Sequence, residues 1–317
     1  MEIIILAAVI LDMVIGDPRW MPHPVVYIGR LISRGEKLIR GRTASARGLK
    51  TGGLLLVLAI VAGTYTFYAG LLWLAYKIDV RLGWVVSVYC MSQALALNSL
   101  YKHAVAAAVP LARGDLLQAR AALARVVGRD TEKLEESEIV RGVVETVAEN
   151  TVDGITAPLF YGFLGGPPLA MAYKAINTLD SMIGYKDERY RDLGWAGARL
   201  DDAANYIPAR ITGLLYLLVA PFTPGGLGRV WRTMARDAGR HLSPNSGIPE
   251  SAVAGALEIQ LGGVNYYRGV VSRRATMGEK KRILEIKHIY QGLYLMAAVS
   301  ALMLGLGMGL SWWIGHL

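Results

Sequence analysis

The chain has 317 residues, 53% of them hydrophobic and only 19% charged, with a formal net charge of +9. Soluble domains carry about 25% charged residues. Here the deficit is concentrated in runs long enough to cross a bilayer, which takes roughly 20 helical residues, and that argues against an ordinary soluble globule. The single cysteine, Cys90, leaves no basis for an intrachain disulfide or a cysteine-based zinc site.

Met1–Ile15 is apolar except for Glu2 and Asp12. No Lys or Arg precedes it, and Asp12 and Asp17 fall where a cleavage region would lie, so it reads as a retained segment rather than a signal peptide. Gly16–Pro24 carries Pro18, Pro22 and Pro24, which rule out regular helix or sheet there. Arg30, Arg34, Lys37, Arg40, Arg42, Arg47 and Lys50 follow, with Glu36 as the one acid among them. The positive-inside rule makes this stretch cytoplasmic, and its charge suits anionic lipid headgroups. The cations are not interleaved with aromatics or set in a DNA-reading motif, so no nucleic-acid partner is expected.

Gly52–Tyr76 and Gly83–Leu100 are predicted spans joined by the short link Lys77–Leu82. Residues 101–150 are polar, with a helical Ala-rich part at Ala104–Val127 and a charged part at Asp130–Glu149. Ile155–Ile176 is apolar but interrupted by Gly165-Gly166-Pro167-Pro168, so it either crosses or re-enters. Non-helical backbone at membrane depth is tolerated only where protein buries it or it lines a cavity. After the polar stretch 185–205, Ile207–Phe222 is short and apolar, 223–289 is basic, and Tyr290–Ile314 is a span with Gly305 and Gly309 at close-packing spacing. Strand signal is weak throughout. The expectation is therefore an all-α, polytopic integral membrane protein forming one membrane-embedded domain. Its firm spans are 52–76, 83–100 and 290–314, and its candidate spans are 1–15, 155–176 and 207–222. Of the polar segments, 101–150 and 223–289 supply helical parts at the cytoplasmic face; 185–205 lies outside if 155–176 crosses and inside if the break at 165–168 makes a re-entrant turn.

Four polar constellations carry the chemistry. Arg141, Glu145, Glu149 and Asp153 step by four and share a helix face. Stacked carboxylates repel and need a compensating metal or Lys/Arg, and hard oxygen ligands suit Mg²⁺. A solvated face is the plainer alternative, but this row runs directly into an apolar segment. Lys174, Asn177, Asp180 and Ser181 cluster near the end of an apolar stretch, where ionisable groups are costly and mark function, unless Lys174 snorkels to the headgroups. Lys186, Arg189 and Arg199 suit phosphate, and Asp201, Asp202 and Asn205 suit a metal or a primary amine. His241, Ser243, Asn245, Ser246 and Glu250 lead into a helix whose N-terminus can cradle an anion, with Ser246 or Ser251 as a simple cap the alternative. No Walker-type phosphate loop occurs, and the five histidines are scattered.

Four stretches, Leu11–Gly29, Arg141–Tyr161, Ala172–Arg210 and His241–Gly263, together resemble the CobD/CbiB family of cobalamin-biosynthesis proteins. The resemblance covers nearly the whole chain. It implies an ATP-dependent ligation at the membrane, in which the propionate carboxyl of adenosylcobyric acid is joined to aminopropanol, or its O-phosphate, as an amide. The implied roles are Mg²⁺ on Glu145, Glu149 and Asp153, positive charge from Lys174, Lys186 and Arg189, and amine orientation or deprotonation by Asp201 or Asp202. Asp17, His23 and the His241–Glu250 loop would position phosphate or corrinoid side chains, with Asn177, Asp180, Arg199 and Asn205 beside them. The implied partners are the corrinoid, the amine, membrane lipid and other membrane enzymes of the same pathway, with homo-oligomerisation open. The site is expected as one composite centre at the cytoplasmic face of the cell membrane. The rivals are an Mg²⁺-dependent transferase acting on a lipid or polyprenyl phosphate, which would need no ATP, and a non-enzymatic membrane sensor or transporter.

Overall fold

The computed structural model describes residues 1–16, 23–185, 187–267 and 269–315. In chain order its helices are Glu2–Val14 (α1), Pro24–Arg42 (α2), Ala46–Ile78 (α3), Val80–Ser92 (α4), Leu97–Ala112 (α5), Leu116–Leu123 (α6) and Glu136–Thr151 (α7). After a π-turn at Val152–Thr156 come Ala157–Ile183 (α8), Trp195–Ala204 (α9), Tyr206–Val219 (α10), Gly226–Asp237 (α11) and Gly247–Leu257 (α12). An antiparallel hairpin, Leu261–Tyr267 (β1) and Val270–Met277 (β2), precedes the final helix Lys287–Ile314 (α13). The helical reading holds. The hairpin was not foreseen, although the Val- and Tyr-rich stretches on either side of Gly269 are a hairpin signal in the sequence.

Three helices are long and apolar enough to cross a membrane: Ala46–Ile78, Val80–Ala112 and Lys287–Ile314. A fourth arises if Trp195–Ala204 and Tyr206–Phe222, bent by 42°, count as one span. The second of these runs twelve residues past the predicted end at Leu100, because α5 continues as helix through its Ala-rich part. Leu55, Phe67 and Trp73 on α3 are each more than 60% exposed. So many exposed large apolar groups on the uncharged run 52–76 of this helix fit a lipid surround, not water. The turn between α3 and α4 rests on Asp79, whose carboxylate accepts from the amides of Arg81 (2.8 Å) and Leu82 (3.1 Å).

The chain divides into two compact units. The first comprises 1–96, 157–205 and 306–317. Its core joins Ile28 and Ile32 of α2, Leu56, Val57 and Ile60 of α3, Leu179 and Ile183 of α8, and Ala196 of α9. The Gly-Gly-Pro-Pro interruption is a true break inside α8. Gly165 and Gly166 leave helical geometry, Gly166 at φ +70°, a conformation open to glycine but strained for other residues. Pro167 then restarts the helix, as proline does at a first turn.

The second unit comprises 97–156 and 206–305. Its buried apolar side chains come from every layer: Ala104 and Leu111 of α5, Leu123 of α6, Ile139 and Val143 of α7, Val253 and Leu257 of α12, and Leu261 and Met277 of the hairpin. A bulge between Leu261 and Gly263 bends β1, with Gly262 and Gly263 at φ +78° and +93°.

Candidate functional site

In the second unit the acidic row of α7 meets arginines. Glu145 accepts from Arg129 Nη1 at 2.9 Å and from the Gly262 amide at 2.8 Å, and Arg141 Nε lies 3.9 Å away. Arg141 in turn donates to the carbonyls of Gly262 and Val264 and to Asn265 Oδ1, which also accepts from Arg129 at 2.7 Å. The bulged glycines turn those carbonyls toward Arg141, so the hairpin and α7 are joined by charge-assisted hydrogen bonds. Burial holds the Arg141 pKa below its ordinary value, with Glu145 pulling it back up.

One turn on, Glu149 accepts from Ser246 Oγ at 3.1 Å. Beside it sits Glu250 on α12, only 3% exposed, with His241 Nε2 3.7 Å from its carboxyl. Burial first, then the charges of Glu149 and Glu145, push the Glu250 pKa well above the carboxylate range. Burial likewise lowers that of His241, against the pull of Glu149. Both shifts favour a neutral acid beside a neutral imidazole over an ion pair. His241 Nδ1 lies 3.0 Å from the Ser243 amide and 3.3 Å from the Ser243 carbonyl, so the loop backbone holds the ring with Nε2 toward Glu250. Ser243 Oγ accepts from the amides of Asn245 and Ser246, and Arg210 donates to Asn245 Oδ1 at 3.2 Å, so the loop before α12 is internally braced.

Among the described residues, no group of three or more His, Cys, Asp or Glu side chains gathers as a metal site. Glu145 is already held by cations and an amide. Asp153 lies on the π-turn that follows α7. As they stand, Glu145, Glu149 and Asp153 do not gather into a metal site. The compensating charge is arginine.

The first unit holds the other acidic cluster. Asp201 on α9 accepts from Asn205 Nδ2 at 3.1 Å, and Asn205 Oδ1 accepts from Tyr173 O–H at 2.8 Å. Tyr173 stacks on Tyr161 (centroids 5.1 Å apart), whose hydroxyl donates to the Ala204 carbonyl. Asp201 Oδ1 is shut off from solvent and lacks a hydrogen bond of good geometry; the Asn177 amide is the favourable neighbour of this carboxyl, and Asp180 and Asp202 are like-charged ones. A buried carboxylate oxygen left this way costs free energy unless something meets it. Lys174 and Asn177 lie on the same stretch of α8 as Asp180, all three partly buried.

The remaining predicted residues behave differently. Arg189 is exposed and pairs with Glu36 at 3.0 Å, where Arg40 also binds, and Arg199 is exposed on α9. Burial opposes ionisation of Glu36, yet the two arginines win and hold its pKa low. His23 is the N-cap of α2, its Nδ1 accepting from the Val25 amide. Asp17 and Lys186 lie outside the described residues. The sequence reading missed Arg129 and Asn265, which make the second-unit cluster what it is. Asn265 gave no signal because the arginines that it meets lie 136 and 124 residues away. Tyr161 and Tyr173 lay inside recognised segments but carried no charge to single them out.

Fold and sites together define a helical membrane protein with one acidic cluster neutralised by arginines and another that keeps an unmet carboxylate oxygen. The chain belongs to the CobD/CbiB family, whose model, described as CobD/Cbib protein, matches residues 5–296. It is 48% identical to the cobalamin biosynthesis protein CobD of Klebsiella pneumoniae over 305 residues, 96% of each chain. It is 51% identical to the protein of that name from Geobacter metallireducens, over 89% of this chain and 88% of that one. The cobalamin biosynthesis protein CbiB of Salmonella typhimurium is 46% identical over 94% of this chain and 93% of its own. No solved structure matches the chain.

Proposed function

We propose that this protein acts in cobalamin biosynthesis as an ATP-dependent acid–amine ligase, joining aminopropanol or its O-phosphate to the propionate carboxyl of adenosylcobyric acid. The whole-length similarity to relatives named for cobalamin biosynthesis supports the pathway. The observation that carries the chemical reading is Asp201, a buried carboxylate with one oxygen free to meet an amine.

A carboxylate is a poor acyl donor, so ATP supplies the activation. The propionate oxygen attacks the γ-phosphorus, ADP leaves and an acyl phosphate forms. The amine nitrogen then attacks the acyl carbon, inorganic phosphate leaves and the surplus ammonium proton is lost. ATP is a co-substrate, with Mg²⁺ as the counter-ion of its phosphates. In this reading Asp201 orients the amine and takes its proton, with Asp202 beside it. Asn205, held by Tyr173, keeps the Asp201 carboxylate in place. Lys174, Asn177 and Asp180 line the same region of the first unit, with Lys174 offering positive charge to a phosphate or acyl phosphate. The site faces the cytoplasm.

The test is to incubate the purified protein with adenosylcobyric acid, Mg-ATP and either amine, and to follow the product by mass. The expected result is one amide bond formed per ATP cleaved, with one amine preferred. Absence of product with both amines, or product without ATP, overturns the ligase reading.

A further inference from the structure

We infer that α2 lies along the bilayer surface and binds the headgroups of anionic phospholipids. Three features of the first unit carry this. First, α2 has two faces. Ile28 and Ile32 are buried in the core with Leu56 and Val57 of α3, and Ile39 packs beside them. The opposite face carries Tyr27, Leu31 and Leu38, each at least half exposed. Spaced by four and seven residues, they form one apolar ridge.

Second, that ridge is flanked along its whole length by cations. Arg30, Arg34 and Lys37 fall on the adjoining strip of the same helix, with Arg42 at its end, and all four are exposed. None makes an ion pair among the described residues; the one acid of the helix, Glu36, faces inward to Arg40 and Arg189. Arg30 instead lies over the Tyr27 ring, 5.7 Å from its centroid. An apolar ridge beside unpaired Arg and Lys is the composition of a helix lying in the interface plane.

Third, α2 ends at Arg42 and α3, the most apolar spanning helix, begins at Ala46. The chain therefore enters the bilayer within one short turn of α2. A second copy of this face is disfavoured as occupant, since it would bring four unpaired cations against four others. A layer of lipid phosphates supplies both the apolar floor and the opposite charge.

The test uses the full chain with Cys90 replaced by Ala, reconstituted in nanodiscs of phosphatidylcholine with or without phosphatidylglycerol. A spin label is placed on a cysteine at Leu31 or Leu38. Both labels are expected to be accessible to oxygen and shielded from a water-soluble nickel chelate in the anionic discs, and less shielded in the neutral ones. Each of Arg30→Gln, Arg34→Gln and Lys37→Gln should lower the ratio of docked to undocked helix about fivefold, matching roughly 1 kcal/mol per cation at an anionic surface. Labels at 31 and 38 open to water in both lipids would overturn the inference. So would docking equal in neutral lipid and indifferent to the charge substitutions, or efficient disulfide dimers through Leu31→Cys. Because the readout is depth, ligase activity does not enter it.

Discussion

Glu145 in the second unit is met on both oxygens, by Arg129 and by the Gly262 amide, whereas Asp201 in the first keeps a buried oxygen without a hydrogen bond. Both stand in short acidic motifs at the edge of apolar segments, and both read as site residues in one dimension. The difference is what the fold brings to them. A hairpin with a glycine bulge delivers an amide and fixes two arginines around Glu145. Around Asp201 come an amide side chain, two tyrosines and further carboxylates. A carboxylate satisfied by fixed cations holds a fold together; a buried one left unsatisfied has capacity for a ligand.

That contrast is testable from both sides. Asp201→Asn should lower ligation by about 10²–10⁴-fold, the usual scale for a lost general base. The thermal midpoint in detergent should stay put or rise, since a buried charge is removed. A variant of near-full activity would break the assignment. Arg129→Met should destabilise the second unit by about 3–5 kcal/mol, because Glu145 is left buried with its principal cation gone; a denaturant titration measures it. If that loss were under 1 kcal/mol, the arginine cluster would not be structural.

Glu145→Gln should cost about 1.5–3 kcal/mol, the range for hydrogen bonds to charged partners, and should leave the Mg²⁺ concentration giving half-maximal ligation unchanged. A large increase in that concentration would restore Glu145 as a metal ligand. The smallest effect concerns Glu250. Its folded pKa is raised above the ordinary value of 4.5, so between that value and the raised one the folded state holds a proton that the unfolded state has lost. Stability from this group is full below the lower value and falls as pH rises through the window. His241, with its pKa lowered from 6.5, contributes the opposite slope below that pH. Glu250→Gln, neutral at all pH, should change stability by less than about 1 kcal/mol at acidic pH and flatten the decline in thermal midpoint toward alkaline pH. An unchanged decline would mean Glu250 is ionised in the fold.

Much of the architecture was legible because it depends on local composition. Uncharged runs became α3, α4 and α13, and the Gly165–Pro168 break appeared where glycine conformations and missing proline amides require it. The span ending at Leu100 was drawn too short because alanine is only mildly apolar yet strongly helical, so α5 continues where hydropathy fades. The hairpin escaped because its strands are held by a register and a bulge rather than by a long alternating pattern. Of the site, Asp201, Asn205, Glu149, Ser246, His241 and Glu250 were named. Arg189 and His23 were named too, but one pairs with Glu36 and the other caps a helix.

The sequence by itself determined the membrane class, the family and the identity of the acidic residues, because hydropathy runs and long motifs are properties of neighbours along the chain. Only the tertiary structure decided which acids are neutralised. Arg129 reaches Asn265 across 136 residues and Arg141 reaches Asn265 across 124. The state of a buried charge is set within the few ångströms around it, where solvent is excluded and each partner counts, and those partners are chosen by the fold.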